Sequence, residues 1–303
     1  MRITQNMMSA VFINNLRKQT EAMLQRNEQI ATQKRINRPS DDPAGMARVL
    51  SGRSTLAAIA QYTDNVTQGT SRLQFAESTL SMIDDLVQQA RRTAEENSGA
   101  EVPAEARDLA AANVKEIYDQ ILQLANSKYG DRFMFSGDQT GTAPFTRDAA
   151  YTATYHGDAG SFRIPIADGV EVTVDADGRN YFQNGANGGV DIFDEVRDLI
   201  TGLENPNTTA GTAQIQATID PLTDAHVQLM NKRSEYGPKL ARLQATREHW
   251  TNLKSAVQGA IGRDEDVDVA QAIIELKNLQ VAYESTLAAA SQITQSSLVN
   301  FLK

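Results

Sequence analysis

No proline lies between Pro43 and Pro103, and that gap carries a strict seven-residue repeat. Val66, Leu73, Leu80, Val87 and Ala94 form one series; Gly69, Ala76, Ile83 and Ala90 form its partner. All of these are apolar or glycine. Two apolar positions in every heptad are the pattern of a helix packed along a seam, in a coiled coil or bundle. With no proline ring in the way, the backbone hydrogen bonds of such a helix can run without a break.

The pattern recurs on both sides. Asn97-Ser98-Gly99 reads as the turn of a helical hairpin. After Pro103, Ala110, Val114, Ile117, Ile121 and Leu124 form one stripe. Downstream, Ile215, Leu222, Leu229, Tyr236, Leu243, Trp250 and Val257 again recur every seven residues. Pro221 and Pro238 predict a kink or local break in that long helix. The chain ends are amphipathic as well. Leu16, Met23 and Ile30 are spaced by seven near the N-terminus, flanked by Phe12 and Leu24. Val269, Leu276, Tyr283 and Ala290 form a C-terminal series, with Ile273, Leu287 and Phe301 on its partner. Leu279, Ile293, Leu298 and Leu302 widen the C-terminal apolar surface beyond one seam, so this helix needs more than one packing partner.

The middle differs. Ten of the 19 glycines fall between Gly130 and Gly189. Arg132-Phe133-Met134-Phe135, Tyr151 to Tyr155, Phe162 to Ile166 and Val170 to Val174 cluster β-formers between them. This predicts a small antiparallel β-domain inserted into a helical chain. A helix resumes over 191–203, with Ile192, Val196 and Leu199 on one face. The expected fold is mainly α with a β insertion: a long antiparallel helical bundle or coiled-coil stalk built from both chain ends. Residues 1–40 and 266–303 are the terminal helices, 41–130 and 191–265 the helical bundle, and 131–190 the β-rich insertion. That layout suits a fibre subunit better than an enzyme.

The chemistry is sparse. With no cysteine, disulfides, thiolate catalysis and cysteine metal sites are excluded. His156, His226 and His249 are the only histidines, and none has metal-motif spacing. No GxGxxG, Walker A or GxSxG motif occurs. Asp175 to Asn180 begins like a calcium loop but has Ala186 where the twelfth-position glutamate belongs, so a β-turn is the better reading. Catalytic residues, cofactors and metals are therefore expected to be none. A net charge of -9 argues against nucleic-acid binding. No run of about 18 apolar residues argues for a membrane span. The polar start has no cleavable secretory signal. By ordinary rules the chain would stay in the cytoplasm, unless export uses an uncleaved signal.

Two local features remain. Ser40-Asp41-Asp42-Pro43 has the chemistry of a helix start: Asp42 can cap the next turn and Pro43 suits the first helical position. Residues 1–60 also hold nine basic and four acidic side chains, an excess suited to acidic surfaces on neighbours.

At this point the residues resemble a known superfamily. Met1-Arg2-Ile3-Thr4, the stretch Lys34-Arg35-Ile36-Asn37-Arg38-Pro39-Ser40-Asp41-Asp42-Pro43-Ala44-Gly45, and Gln61-Tyr62-Thr63-Asp64-Asn65 are similar to the N-terminal region of bacterial flagellins. The heptads that follow and the terminal Ser-Leu-Val-Asn-Phe-Leu fit the same superfamily. Within it, Leu-Ala-Asn-Ser-Lys-Tyr-Gly-Asp-Arg-Phe-Met-Phe-Ser-Gly at 124–137 resembles the hook–filament junction family. Tyr236-Gly237-Pro238-Lys239-Leu240-Ala241-Arg242-Leu243 resembles that family's downstream motif, from which Pro238 departs.

The resemblance implies a structural protein of the bacterial flagellum, the adaptor between hook-associated proteins and the filament; a short filament flagellin is the alternative. It implies export through the flagellar type III apparatus without signal cleavage, and an extracellular location. Its partners would be neighbouring copies, an adjacent hook-associated protein, flagellin and a cytosolic export chaperone. The terminal helices would become ordered in the assembled axial structure, so that their ordering cost falls at assembly. The expected interface residues are Ile3, Phe12, Leu16, Met23, Ile30, Ile273, Leu276, Tyr283, Leu287, Phe301 and Leu302. Leu287, Phe301 and Leu302 would meet the chaperone.

Overall fold

The computed structural model describes residues 5–174, 177–185 and 188–301. Helices α1 (Gln5–Thr32), α2 (Pro43–Asn97) and α3 (Ala104–Ala125) come first. Six short strands follow: β1 (Lys128–Tyr129), β2 (Arg132–Phe133), β3 (Phe145–Arg147), β4 (Ala153–Tyr155), β5 (Arg163–Ala167) and β6 (Val170–Thr173). The chain then returns to helix in α4 (Arg179–Phe182), α5 (Ile192–Leu203), α6 (Thr208–Ser234), α7 (Tyr236–Glu265) and α8 (Val269–Phe301). The chain is mainly helical with antiparallel strand pairs in its middle. It divides into two compact units, Ala60–Trp250 and the residues before and after that span. Helices α2 and α7 contribute to both.

In the unit from Ala60 to Trp250, the heptads become a core. Every member of the two α2 series, Val66 to Ala94, is buried. They meet Val114, Ile117, Tyr118 and Ile121 of α3, and Ile215, Leu222, Leu229 and Leu243 of α6 and α7, in one hydrophobic cluster. The long downstream helix is divided at Glu235, as the prolines predict, although α6 carries Pro221 inside it. Pro238 falls in the first turn of α7, where its missing N–H leaves no helical bond unmade. The carbonyl deprived of a partner by Pro221 is that of exposed Ala217, which water can reach. Tyr236 stays buried across the break, so the seven-residue series keeps one face.

The strands form three separate two-stranded antiparallel hairpins, β1–β2, β3–β4 and β5–β6. Sequence reading finds β2, β4, β5 and β6; β1 and β3 have no alternating pattern long enough to show. Gly130 and Gly169 take φ +63° and +65° in the first and third turns, where a side chain would be strained. Tyr151 makes the same left-handed turn (φ 62°) between β3 and β4, with its ring edge-on to Tyr118 at 5.2 Å. Asn126, just past α3, receives the Phe145 N–H (2.9 Å) and donates to the Phe145 carbonyl (2.8 Å), fixing where β3 begins. Phe145 then packs against Phe182 and Phe193 at 5.7 and 5.1 Å between ring centres. The hairpins thus bury their inner side chains in the same core as the helices.

Candidate assembly interface

In the other unit, α1 and α8 pair antiparallel. Gln19 donates to the Thr286 hydroxyl at 3.1 Å, and Arg26 pairs with Glu275 at 2.9 Å. The sheltered positions of α1 include Phe12, Leu16, Gln19, Met23, Arg26 and Ile30, spaced alternately by four and three. On α8 they include Ala272, Glu275, Leu276, Leu279, Ala282, Tyr283, Thr286 and Ala290. Phe12, Leu16, Met23, Ile30, Leu276 and Tyr283 are therefore half-buried. Ile273 and Leu287 remain exposed, at 42% and 43%. Ile3, Leu302 and the side chain of Phe301 lie outside the described residues. Sequence reading missed Gln19 and Arg26, polar residues that occupy the same four-three spacing as their apolar neighbours.

This pair leaves much apolar surface open. Met7, Val11, Ile13 and Leu24 of α1 are each about 60% exposed or more, and Ile274 and Val281 of α8 are 54% and 63% exposed. Scattered exposed leucines are ordinary, but a two-helix unit with apolar side chains on its outer faces has surface left for further partners.

The roots of α1 and α8 meet the start of α2 in a charged node. Asp41 receives the N–H groups of Asn37 (3.0 Å) and Arg38 (2.9 Å), and Asp42 Oδ1 receives that of Gly45 at 2.9 Å. Pro43 opens α2, and Ser40 is exposed. An added Cβ at Gly45 would stand 2.5 Å from the Asp42 carboxylate and 2.7 Å from the end of Ile36, so both side chains would have to shift. The Gly45 N–H, chiefly, holds the Asp42 carboxyl below its ordinary range.

Across from this loop, Glu265 is nearly buried and accepts Lys34 and Arg53, each at 2.6 Å. Burial opposes its charge, but the ammonium and guanidinium outweigh that and keep its carboxyl below the usual glutamate range. Arg48 grips Asp264 with two bonds, 3.0 and 2.8 Å, and holds its carboxyl low. The backbone joins in. Arg35 N–H donates to the Glu265 carbonyl at 2.6 Å, and Val267 N–H to the Gln33 carbonyl at 3.1 Å, with Gln33 at φ 59°.

These contacts extend along the basic N-terminal segment. Arg17, Arg26, Lys34, Arg35, Arg38, Arg48 and Arg53 all find acidic partners within the chain. Much of the basic excess of residues 1–60 is met by the chain's own acids. The partners lie more than 200 positions away for Arg48 and Arg53, at 216 and 212, which is why sequence inspection paired neither.

The remaining sequence features resolve locally. Asn207 caps α6 by receiving the Ala210 N–H at 3.1 Å. Asp177 receives the Arg179 N–H at 2.8 Å in a turn. His226 lies 2.6 Å from buried Asp84. Among the described residues no group of three or more His, Asp or Glu side chains is placed to hold a metal ion, and no helix is long and apolar enough to cross a membrane.

Long seamed helices, paired chain ends and open apolar faces define a helical assembly subunit. Comparison with known proteins gives that class its family. The bacterial flagellin N-terminal helical region matches residues 3–140, and the flagellin C-terminal helical region matches 219–302. The chain belongs to the bacterial flagellin family: it is a structural protein of the flagellum, an extracellular appendage, and not an enzyme. It is 24% identical over 262 residues to flagellar hook-associated protein 3 of Escherichia coli, covering 81% of this chain and 82% of that one. It is 25% identical over 295 residues to the flagellar filament 33 kDa core protein of Treponema phagedenis, covering 96% of each. Its fold is similar to that of FlgL from Xanthomonas campestris, with a TM-score of 0.61 at 15% identity, over 70% of this chain and 99% of that one.

Proposed function

We propose that this chain is the hook–filament junction subunit, placed between hook-associated proteins and flagellin. The apolar faces left open on α1 and α8 carry the assembly reading. The junction assignment is supported by the resemblance of residues 124–137 and by the likeness to hook-associated protein 3 and FlgL. In this reading the terminal helices, 1–40 and 266–303, bind neighbouring copies, the adjacent hook-associated protein and flagellin. Residues 41–130 with 191–265 form the helical bundle, and 131–190 the inserted β-rich part. Ile273 and Leu287 belong to the surface covered on assembly. Export proceeds without signal cleavage, and a cytosolic chaperone shields Leu287, Phe301 and Leu302 beforehand.

Deleting the gene in the source bacterium tests this. The expected result is bare hooks, with the major flagellin released into the medium. A filament subunit is the second reading, favoured by the end-to-end match to the Treponema filament protein. That reading predicts that the major flagellin itself disappears on deletion. Intact filaments would overturn both.

A further inference from the structure

We propose that Asn184 is a site of spontaneous covalent modification: with Gly185 it closes to a cyclic imide, which opens to aspartate or isoaspartate with loss of ammonia.

The chain has two Asn-Gly pairs, Asn184-Gly185 and Asn187-Gly188, both between α4 and α5. Asn187 lies outside the described residues. The nucleophile in such a step is the backbone nitrogen of the following residue. A hydrogen bond to that N–H holds it back, and so does a side chain that crowds it. Gly185 presents neither obstacle. It is exposed, and its N–H has no hydrogen-bond partner among the described residues. Its carbonyl receives the Gly188 N–H at 3.4 Å, so Gly185 leads a tight turn, the position whose N–H is left over.

Two other asparagines precede a small residue, and the fold engages both. The Ser98 N–H donates to the Glu95 carbonyl at 3.4 Å, while buried Asn97 donates its amide to the Thr93 carbonyl at 2.8 Å. The Ser127 N–H donates to the Leu124 carbonyl at 3.0 Å, and both ends of the Asn126 amide are held by Phe145. At Asn184 the backbone is fixed instead. Its N–H donates to the Val190 carbonyl at 3.2 Å, and its carbonyl receives the Gly189 N–H at 3.1 Å. Gln228 receives the Val190 N–H at 2.8 Å and donates to the Tyr181 carbonyl at 3.0 Å. These bonds close the base of the loop and leave Gly185 exposed.

The step balances with water as the one co-reactant. The Gly185 nitrogen bonds to the Asn184 side-chain carbonyl carbon, and the amide nitrogen leaves as ammonia with the proton that Gly185 gives up. Water then opens either carbonyl of the imide. Either product adds a carboxylate near Asp191, whose backbone nitrogen lies 3.8 Å from where a Gly185 Cβ would stand. Isoaspartate also takes the Asn184 carbonyl, the acceptor for Gly189, out of the main chain. Outside the cell the ammonia diffuses away, so the product accumulates with age.

The test uses the isolated full-length chain, aged in mildly alkaline buffer and compared with an unaged sample. Trypsin cleavage after Arg179 and Arg197 gives one peptide, 180–197, that carries both pairs. Electron-transfer fragmentation places the change at 184 or 187 and separates isoaspartate from aspartate. Asn184 is expected to convert at least about tenfold faster than Asn97 or Asn126. Gly185→Ala should slow the conversion by at least about tenfold. That variant should fold, because the new methyl meets only the Asp191 nitrogen at ordinary contact distance. Asn187→Gln should leave conversion at Asn184 unchanged. Modification confined to Asn187, a rate at Asn184 no higher than at Asn126, or an undiminished rate in Gly185→Ala would each overturn the proposal.

Discussion

Asp191 sits at the start of α5, where its side chain receives the N–H groups of Phe193 (3.0 Å) and Asp194 (3.1 Å). Burial raises its pKa to about 6, more than those bonds can lower it. Because the folded chain holds the proton more tightly than the unfolded chain, this group costs stability as pH rises from about 4 to about 6 and beyond. Asp191→Asn keeps a capping oxygen and removes the charge. Urea unfolding followed by the single tryptophan, Trp250, should lose part of its decline between pH 4 and 7 in that variant. An unchanged pH profile would show that Asp191 is not the source. Asp191 precedes an amphipathic run, and that reads as a helix start; its burial depends on the core around it and does not show in the residues.

At the scale of elements, the α2 repeat makes the strongest claim. Leu73 is fully buried on the seam. Leu73→Ala should cost about 2–5 kcal/mol, through lost transfer energy and the cavity left behind. Leu287→Ala, on an exposed face, should leave the stability of the isolated chain within about 0.5 kcal/mol and act only in assembly. Glycines give a second contrast. At Gly211 in α6 an added Cβ would stand 2.7 Å from the backbone carbonyl of Gly202 at the end of α5. Gly211→Ala should therefore destabilise, by about 1–3 kcal/mol, because backbone cannot give way as a flexible side chain does. Gly259 in α7 meets only the far end of Arg263 at 3.9 Å, and Gly259→Ala should stabilise by about 0.5–1 kcal/mol. Both pairs are checked by the urea midpoint.

At the scale of the whole molecule, charge is divided unevenly. The span 60–250 holds 16 basic and 28 acidic side chains, and the rest of the chain 13 and 10. Acid acts on the two units with opposite sign near the groups described. Glu195, like Asp191, is raised by burial, so both favour the folded state of their unit as pH falls toward 4. Glu265 is held low, so its contribution is complete above its ordinary value of 4.5 and is lost as pH falls through its folded value. Lowering pH through the folded value of Glu265 should break its pairs with Lys34 and Arg53, seen by NMR titration of the Glu265 carboxyl carbon, before Trp250 fluorescence reports unfolding of the 60–250 unit. Simultaneous loss of both would show that these pairs have no separate response to acid. Deleting residues 1–32 or 269–303 should likewise leave the 60–250 unit folded and abolish assembly, as sedimentation and electron microscopy would report.

Local pattern alone determined the long helices, their buried faces, the helix start at Asp42–Pro43 and the division near Pro238. Each rests on a residue and neighbours within a few turns, through heptad burial, capping or a missing N–H. The same patterns, read with the resemblance they carry, also led to the flagellin superfamily. Only the tertiary structure decided that the β-formers make three separate hairpins sharing the helical core, that Gln19 and Arg26 lie on the terminal seam, and that Lys34, Arg48 and Arg53 turn inward to Asp264 and Glu265. Charge has no periodicity that tells a basic residue which of many acids it will meet. That choice is made when the chain brings together segments more than 200 residues apart.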